Sequence, residues 1–407
     1  MALAWTLDRV RTRTPHTNVT VFADGFHYGF EEILAELDLD GSDRFDTTEL
    51  MPNLRRSDEA PIDLVILGTC EIDLRTLHHE LLVIWDERPD NRKFNLVCMV
   101  HNVADVAWQE YIPEWSSRGA LRLVTLGDHV SAAFKDKFDE LSESKEIDLA
   151  TSGYESIPID AHYPVLDIPY LPQKSINRTL SKAVIQGSFD YSRRGYADIF
   201  SNLIQSLLED PSAWGYHPLG GRKSFVPNNR GPVAPFELLL VGSGHIEVPE
   251  ELAYMVIVYR NLDYKDFYRL IADCDIVVPA FSSFIYYREM ASSTVALAVE
   301  LDVPILATKR MRKAYDYIDD DRVVVTRPAA MNEVSALKAL RTGDASFFWD
   351  SGATGTGRKM STIHGLESAV RVMLEKGWIR DKGAVTEYKH QLWRKNELFA
   401  ERLIRDM

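Results

Sequence analysis

The chain has 407 residues, with 61 acidic against 46 basic side chains for a net charge of −15, and it is 45% hydrophobic and 26% charged. That length suits two domains better than one core, and the even composition is that of a globular protein. So acidic a surface argues against DNA or RNA as the main partner, because phosphate backbones demand a basic footprint, although it leaves room for a local basic pocket holding one nucleotide.

The opening run MALAWTLDRVRTR is too short in apolar residues, and too soon followed by arginines, to read as a signal peptide. No stretch approaches the ~20 apolar residues of a membrane span. Short Val/Ile/Leu-rich runs follow at NVTVFA (18–23), DLVILG (63–68), NLVCMVH (95–101) and LRLVTL (121–126), with helical patterns between them such as FEEILAEL (30–37) and DHVSAAFKDKFDEL (128–141). Such runs predict parallel strands buried on both faces. Cys70, Cys98 and Cys274 lie in or beside these apolar runs. An odd count in such settings predicts reduced core thiols and a cytoplasmic protein.

A passage with prolines at 158, 164, 169 and 172 then breaks any regular helix. The alternation starts again with strands at 182–188, 236–244, 255–260, 274–280, 303–308 and 322–326. Helices fall between them at 197–210, 264–274 and 292–301, and a long charged amphipathic helix closes the chain at 387–407. Two blocks split by a proline linker predict an α/β protein of two doubly wound, Rossmann-like domains facing each other across a cleft. The expected boundaries are 1–176 for the first domain, completed by the last helix, and 177–386 for the second.

In such sheets ligands sit outside the carboxyl ends of the strands, so the residues just after each strand carry the functional expectation. AVIQGSFDYSRRGY ends its strand in Gly187 and Ser188, and Arg193 and Arg194 precede the next helix. Paired arginines there suit bidentate contact with phosphate oxygens, against the alternative of a solvated helix start. Ser292, Ser293 and Thr294 stand at the mouth of an apolar helix that ends in Glu300. Hydroxyls there can cap the helix, or the free amides can hold a diphosphate, and Glu300 at the far end could accept two ribose hydroxyls. LLLVGSGH lacks the full dinucleotide fingerprint and predicts a tight turn. His78, His79 and His162 form no metal-like set, and Asp319, Asp320 and Asp321 read as a solvated charge run.

The run VYRNLDYKDFYRLIADCDIVVPAFSSFIYYREMASSTVALAVELDVPILAT (258–308) resembles the nucleotide-sugar half of a GT-B glycosyltransferase, of the retaining family 4 type. CMVHNV (98–103) and LVTLGDHVSAAFK (123–135) are similar to motifs of the same enzymes. The resemblance implies a donor diphosphate held by Arg193 or Arg194 and by Ser292, Ser293 and Thr294, a ribose on Glu300, and His101 beside the transferred sugar. Ser292 stands where many retaining members have a glutamate. His27, just after the first strand, stands about where inverting members place a general base. The implied activity is metal-independent hexosyl transfer from a nucleotide diphosphate sugar, most simply a UDP-sugar, to a small-molecule or glycan hydroxyl, with no further cofactor. A nucleotide binder of the same shape and a sugar-nucleotide epimerase are the alternatives.

Overall fold

The computed structural model describes residues 1–11, 13, 17–39, 44–56, 62–143, 153–169, 171–219, 224–231, 233–350 and 360–406. Its frame is two parallel sheets. The larger has six strands, in the order Val256–Arg260, Glu237–Ser243, Lys182–Ser188, Ile276–Val277, Ile305–Ala307 and Val324–Thr326. Counted along the chain within this sheet, that is 3-2-1-4-5-6, the doubly wound order in which the chain reverses direction between the first and fourth strands. All its strand pairs are parallel.

Helix Tyr196–Glu209 shows why the faces close. Ile199, Phe200, Leu203 and Leu207 fall on one stripe and are buried against the sheet. Helix Ser293–Glu300 is apolar nearly all round, and Thr294 through Glu300 are all buried. It lies buried against the larger sheet together with Tyr268, Ile271 and Tyr317.

The smaller sheet runs Leu64–Leu67, Asn95–Val100, Leu121–Thr125 and Ile159–Ala161, again all parallel. Consecutive strands are neighbours, so right-handed crossovers put their helices on one face. Leu74, Leu81, Trp115, Phe134 and Phe138 cover that face. The other face, with Val97, Met99 and Val124, is covered from both ends of the chain. Leu3, Leu7 and Val10 of helix Ala2–Arg11 and Phe399, Ala400 and Leu403 of helix Lys382–Arg405 pack there together.

Two expectations need correction. The strand predicted at 18–23 shrinks to Val21–Phe22 and pairs only with Arg44–Phe45, outside the smaller sheet. The three thiols are not all reduced: Cys70 and Cys98 form a disulfide, and only Cys274 is free. With that pair joined, thiol chemistry no longer argues for the cytoplasm. Among the described residues no helix is long and apolar enough to cross a membrane.

Candidate functional site

The topology puts the two loops that matter side by side. The strands that flank the reversal point, Lys182–Ser188 and Ile276–Val277, are direct neighbours. The loops after them meet in a bridge between Arg194 and Phe281, and the Gly195 amide donates to the Ala280 carbonyl at 2.8 Å. In front of them lies a cleft of about 940 Å³ between the two sheets. Gly187, Ser188, Arg193, Arg194, Ser292, Ser293 and Glu300 line it from the side of the larger sheet, and His101 and Asn102 from the side of the smaller.

Gly187 and Gly242 make the approach possible. They sit opposite each other in register on adjacent strands. Gly187 has φ +132°, and a Cβ on Gly242 would overlap the Gly187 carbonyl.

Arg194 is buried, only 5% exposed. Its Nη2 donates to the Thr294 hydroxyl at 3.0 Å and to the Gln186 carbonyl at 3.2 Å, while its Nε has no partner. The guanidinium lies over Phe281 and Tyr286, with its carbon 4.9 Å and 5.4 Å from the ring centres. No carboxylate lies within ion-pair distance of it among the described residues, and burial pushes it below its ordinary range. Arg193 is exposed to the cleft, and its Nε donates to the Tyr286 hydroxyl at 2.7 Å.

The three hydroxyls divide their work. Thr294 is 1% exposed and donates to Gln186, 2.8 Å from the side-chain oxygen, so it supports Arg194 from behind. Ser292 is the N-cap residue of its helix, yet its side chain makes no capping hydrogen bond. The first-turn amides are therefore not met by that hydroxyl, and the macrodipole adds partial positive charge there. Ser293 is exposed to the cleft.

Glu300 is 5% exposed and lines the cleft. Its Oε1 accepts from the Leu166 amide at 2.9 Å. Burial pushes its carboxyl up to about 8, against the opposing pull of that amide and of Lys389. Lys389 comes from the last helix and pairs with Asp302 at 2.7 Å.

Beyond Glu300 the cleft is walled by aromatic rings that sequence reasoning had not assigned. Phe30, at the start of helix Phe30–Glu36, meets Tyr264 edge-on at 4.6 Å, with Tyr28 and Tyr268 beside them. The two sides are held together there by the Tyr264 amide donating to the Tyr28 carbonyl at 2.8 Å and by Lys265 pairing with Glu32 at 3.2 Å.

A second clasp closes the opposite end. Asn102 bridges Met290, the Val103 amide donates to the Glu289 carbonyl at 2.9 Å, and the Ala291 amide donates to the His101 carbonyl at 3.2 Å. His129 Nε2 lies 3.1 Å from the Met290 carbonyl, its ring against Tyr315.

His101 thus lines the cleft from the side of the smaller sheet. His27 is elsewhere: it is exposed on the turn before Phe30, its ring beside Tyr28, and is not part of the cleft lining. His162 is fully buried, contacts the Thr6 hydroxyl at 3.1 Å and is held down to about 3 by desolvation, as a core histidine is. Asp319, Asp320 and Asp321 pair with Arg312, Arg322 and Lys376. Among the described residues no group of three or more metal-type side chains comes together.

No family model matches the chain, and no curated protein does. Solved structures of similar shape include the lipopolysaccharide outer core galactosyltransferase WaaB, at TM-score 0.45 and 12% identity, over 98% of this chain and 95% of that one. The glycosyltransferase SnogD from Streptomyces nogalater matches at TM-score 0.37 and 12% identity over 99% and 95%. The GtfA/B complex matches at TM-score 0.39 and 12% identity over 87% of this chain, which spans about three fifths (61%) of that one. Likenesses at these values decide neither reaction nor substrate.

Proposed function

We propose that this protein is a GT-B glycosyltransferase that moves a sugar from a nucleoside diphosphate sugar to an acceptor hydroxyl, without a metal ion. One observation carries the reading: a buried arginine with no carboxylate partner among the described residues stands beside a helix start that no side chain caps. A buried cation is costly unless an anion completes it. A diphosphate supplies that anion, and Arg193, Arg194 and the first-turn amides would stabilise the charge that develops as it leaves. Glu300, at the other end of the same helix, would take the ribose hydroxyls, and the Phe30–Tyr264 wall would take the base. His101 would face the transferred sugar. The acceptor would enter over the first domain, and closure of the two sheets would keep water from the donor.

The test is a calorimetric panel of UDP, GDP, ADP and TDP, followed by turnover of the matching sugar nucleotide with and without acceptor mixtures and EDTA. UDP is the first expectation, with transfer insensitive to EDTA. Failure of every diphosphate to bind refutes the donor site. Binding without turnover leaves a nucleotide-binding protein, and turnover of donor alone to an epimer points to an epimerase. His101→Ala and His27→Ala should each cost about 10²-fold if they take part in proton transfer; an unchanged rate removes that residue from the chemistry.

A further inference from the structure

Glu71 has no part in the donor site, yet its carboxylate is buried and committed to His101, which faces the cleft from the side of the smaller sheet. It is the second residue of helix Cys70–Glu87, at the carboxyl end of the Leu64–Leu67 strand, and it is 5% exposed. Its Oε1 accepts from the His101 amide and, at 3.1 Å, from the Asn102 amide. Its Oε2 lies 3.2 Å from His101 Nδ1. Burial alone would raise this carboxyl, but the hydrogen bonds from the His101 ring and main chain outweigh it and hold Glu71 below its usual range. The two segments are joined covalently just beside the contact, through Cys70 immediately before Glu71 and Cys98 three residues before His101.

A carboxylate can only accept. We propose that Glu71 is a positioning residue that fixes His101 as its Nδ1–H tautomer, leaving the Nε2 lone pair turned to the cleft as an acceptor for a substrate hydroxyl. The imidazole's two nitrogens have opposite roles in the neutral ring, and the partner of one decides what the other can do. With Nδ1–H held by Glu71, Nε2 can take a proton or accept a hydrogen bond, and cannot donate one. The ligand group opposite His101 is therefore a hydroxyl of the transferred sugar or of the acceptor. Its effect on turnover rests on the transferase reading; the tautomer does not.

Glu71→Gln separates the two uses of the side chain. The glutamine carbonyl can still accept from both main-chain amides, so the turn after Asn95–Val100 is kept. Its amide group donates where Oε2 accepted, which forces Nδ1 to become the acceptor and moves the proton to Nε2. Nitrogen-15 spectra of histidine-labelled full-length protein at alkaline pH, assigned with His101→Ala, should show Nδ1–H in the parent and Nε2–H in Glu71→Gln. Turnover should fall about 10²-fold, with the dissociation constant of UDP, which carries no sugar to be transferred, unchanged. An Nε2–H ring in the parent, or Glu71→Gln turning over within twofold of it, overturns the assignment. If the parent protein turns over no sugar nucleotide at all, the transferase reading falls, and the spectra alone still decide the Glu71–His101 pairing.

Discussion

Glu300→Gln offers the most quantitative test of the nucleotide site. The Glu300 carboxyl rises from an ordinary 4.5 to about 8 because the cleft-facing end of its helix is buried. Two ribose hydroxyls would donate to the ionised form, so binding must first remove the proton. Well below 8 each pH unit then costs about 1.4 kcal/mol, and between pH 8 and pH 6 the UDP dissociation constant should weaken by roughly 50-fold, since the group is already half protonated at pH 8. In Glu300→Gln the carbonyl still accepts from Leu166, but nothing titrates, so its profile reports only the phosphate and the remaining groups. Titration calorimetry from pH 6 to 9, in buffers of different ionisation enthalpy, counts the released proton directly. The sign for stability follows from the same shift. The folded-state value lies above the unfolded one, so this contribution is whole below pH 4.5 and is lost as pH rises through 8, amounting to at most about 5 kcal/mol. The unliganded Glu300→Gln protein should therefore melt higher than the parent at pH 9, and the gap should shrink towards pH 5. Superimposable affinity profiles for parent and variant would refute the ribose assignment.

Other expectations follow from the same geometry. Arg194→Met should weaken UDP by 10- to 100-fold, the value of a charge-assisted bond of about 1.5–3 kcal/mol, and Arg194→Lys should not restore it because a point charge cannot hold Thr294 and a phosphate together; undiminished affinity in either variant counts against the diphosphate site. Gly242→Ala should cost at least about 2 kcal/mol in urea unfolding and abolish UDP binding, since its Cβ meets the Gly187 carbonyl; a well-folded, fully binding variant would contradict this strand packing. Peptide mapping without reductant should recover Cys70 linked to Cys98, while Cys274, its thiol pushed up to about 12 by burial, should react with alkylating agents only after unfolding. Replacing both linked cysteines by alanine should cost about 3.5 kcal/mol for a closed loop of this length, and an unaltered unfolding midpoint would show that the bond does not form.

Much of the site was legible because its signals are local. Gly187, Ser188, Arg193, Arg194, Ser292, Ser293 and Glu300 all sit at the end of a strand or at one end of a helix, and all seven line one cleft. Thr294 shows the limit of that reading: its spacing matches that of a phosphate ligand, but burial turns its hydroxyl to Gln186 and Arg194. Glu71 was within reach, as a residue just after a strand, but nothing in its neighbourhood of the chain names His101, thirty residues on. The aromatic wall of Phe30 and Tyr264 comes from two helices far apart in the chain and leaves no sequence pattern.

The chain by itself determined the two strand–helix blocks, because hydrophobic periodicity and proline placement act over a few residues. It also placed the small hydroxyls, the arginine pair and the helix-end carboxylate at strand and helix ends. Only the tertiary structure decided which ends meet. Strand order put the Arg194 loop against the Ser292 helix, the docked chain ends covered the smaller sheet, and the Cys70–Cys98 bond tied Glu71 to His101. Those outcomes depend on contacts between residues tens to hundreds of positions apart, where the stabilisation comes from burying complementary surfaces and no local pattern records the partner.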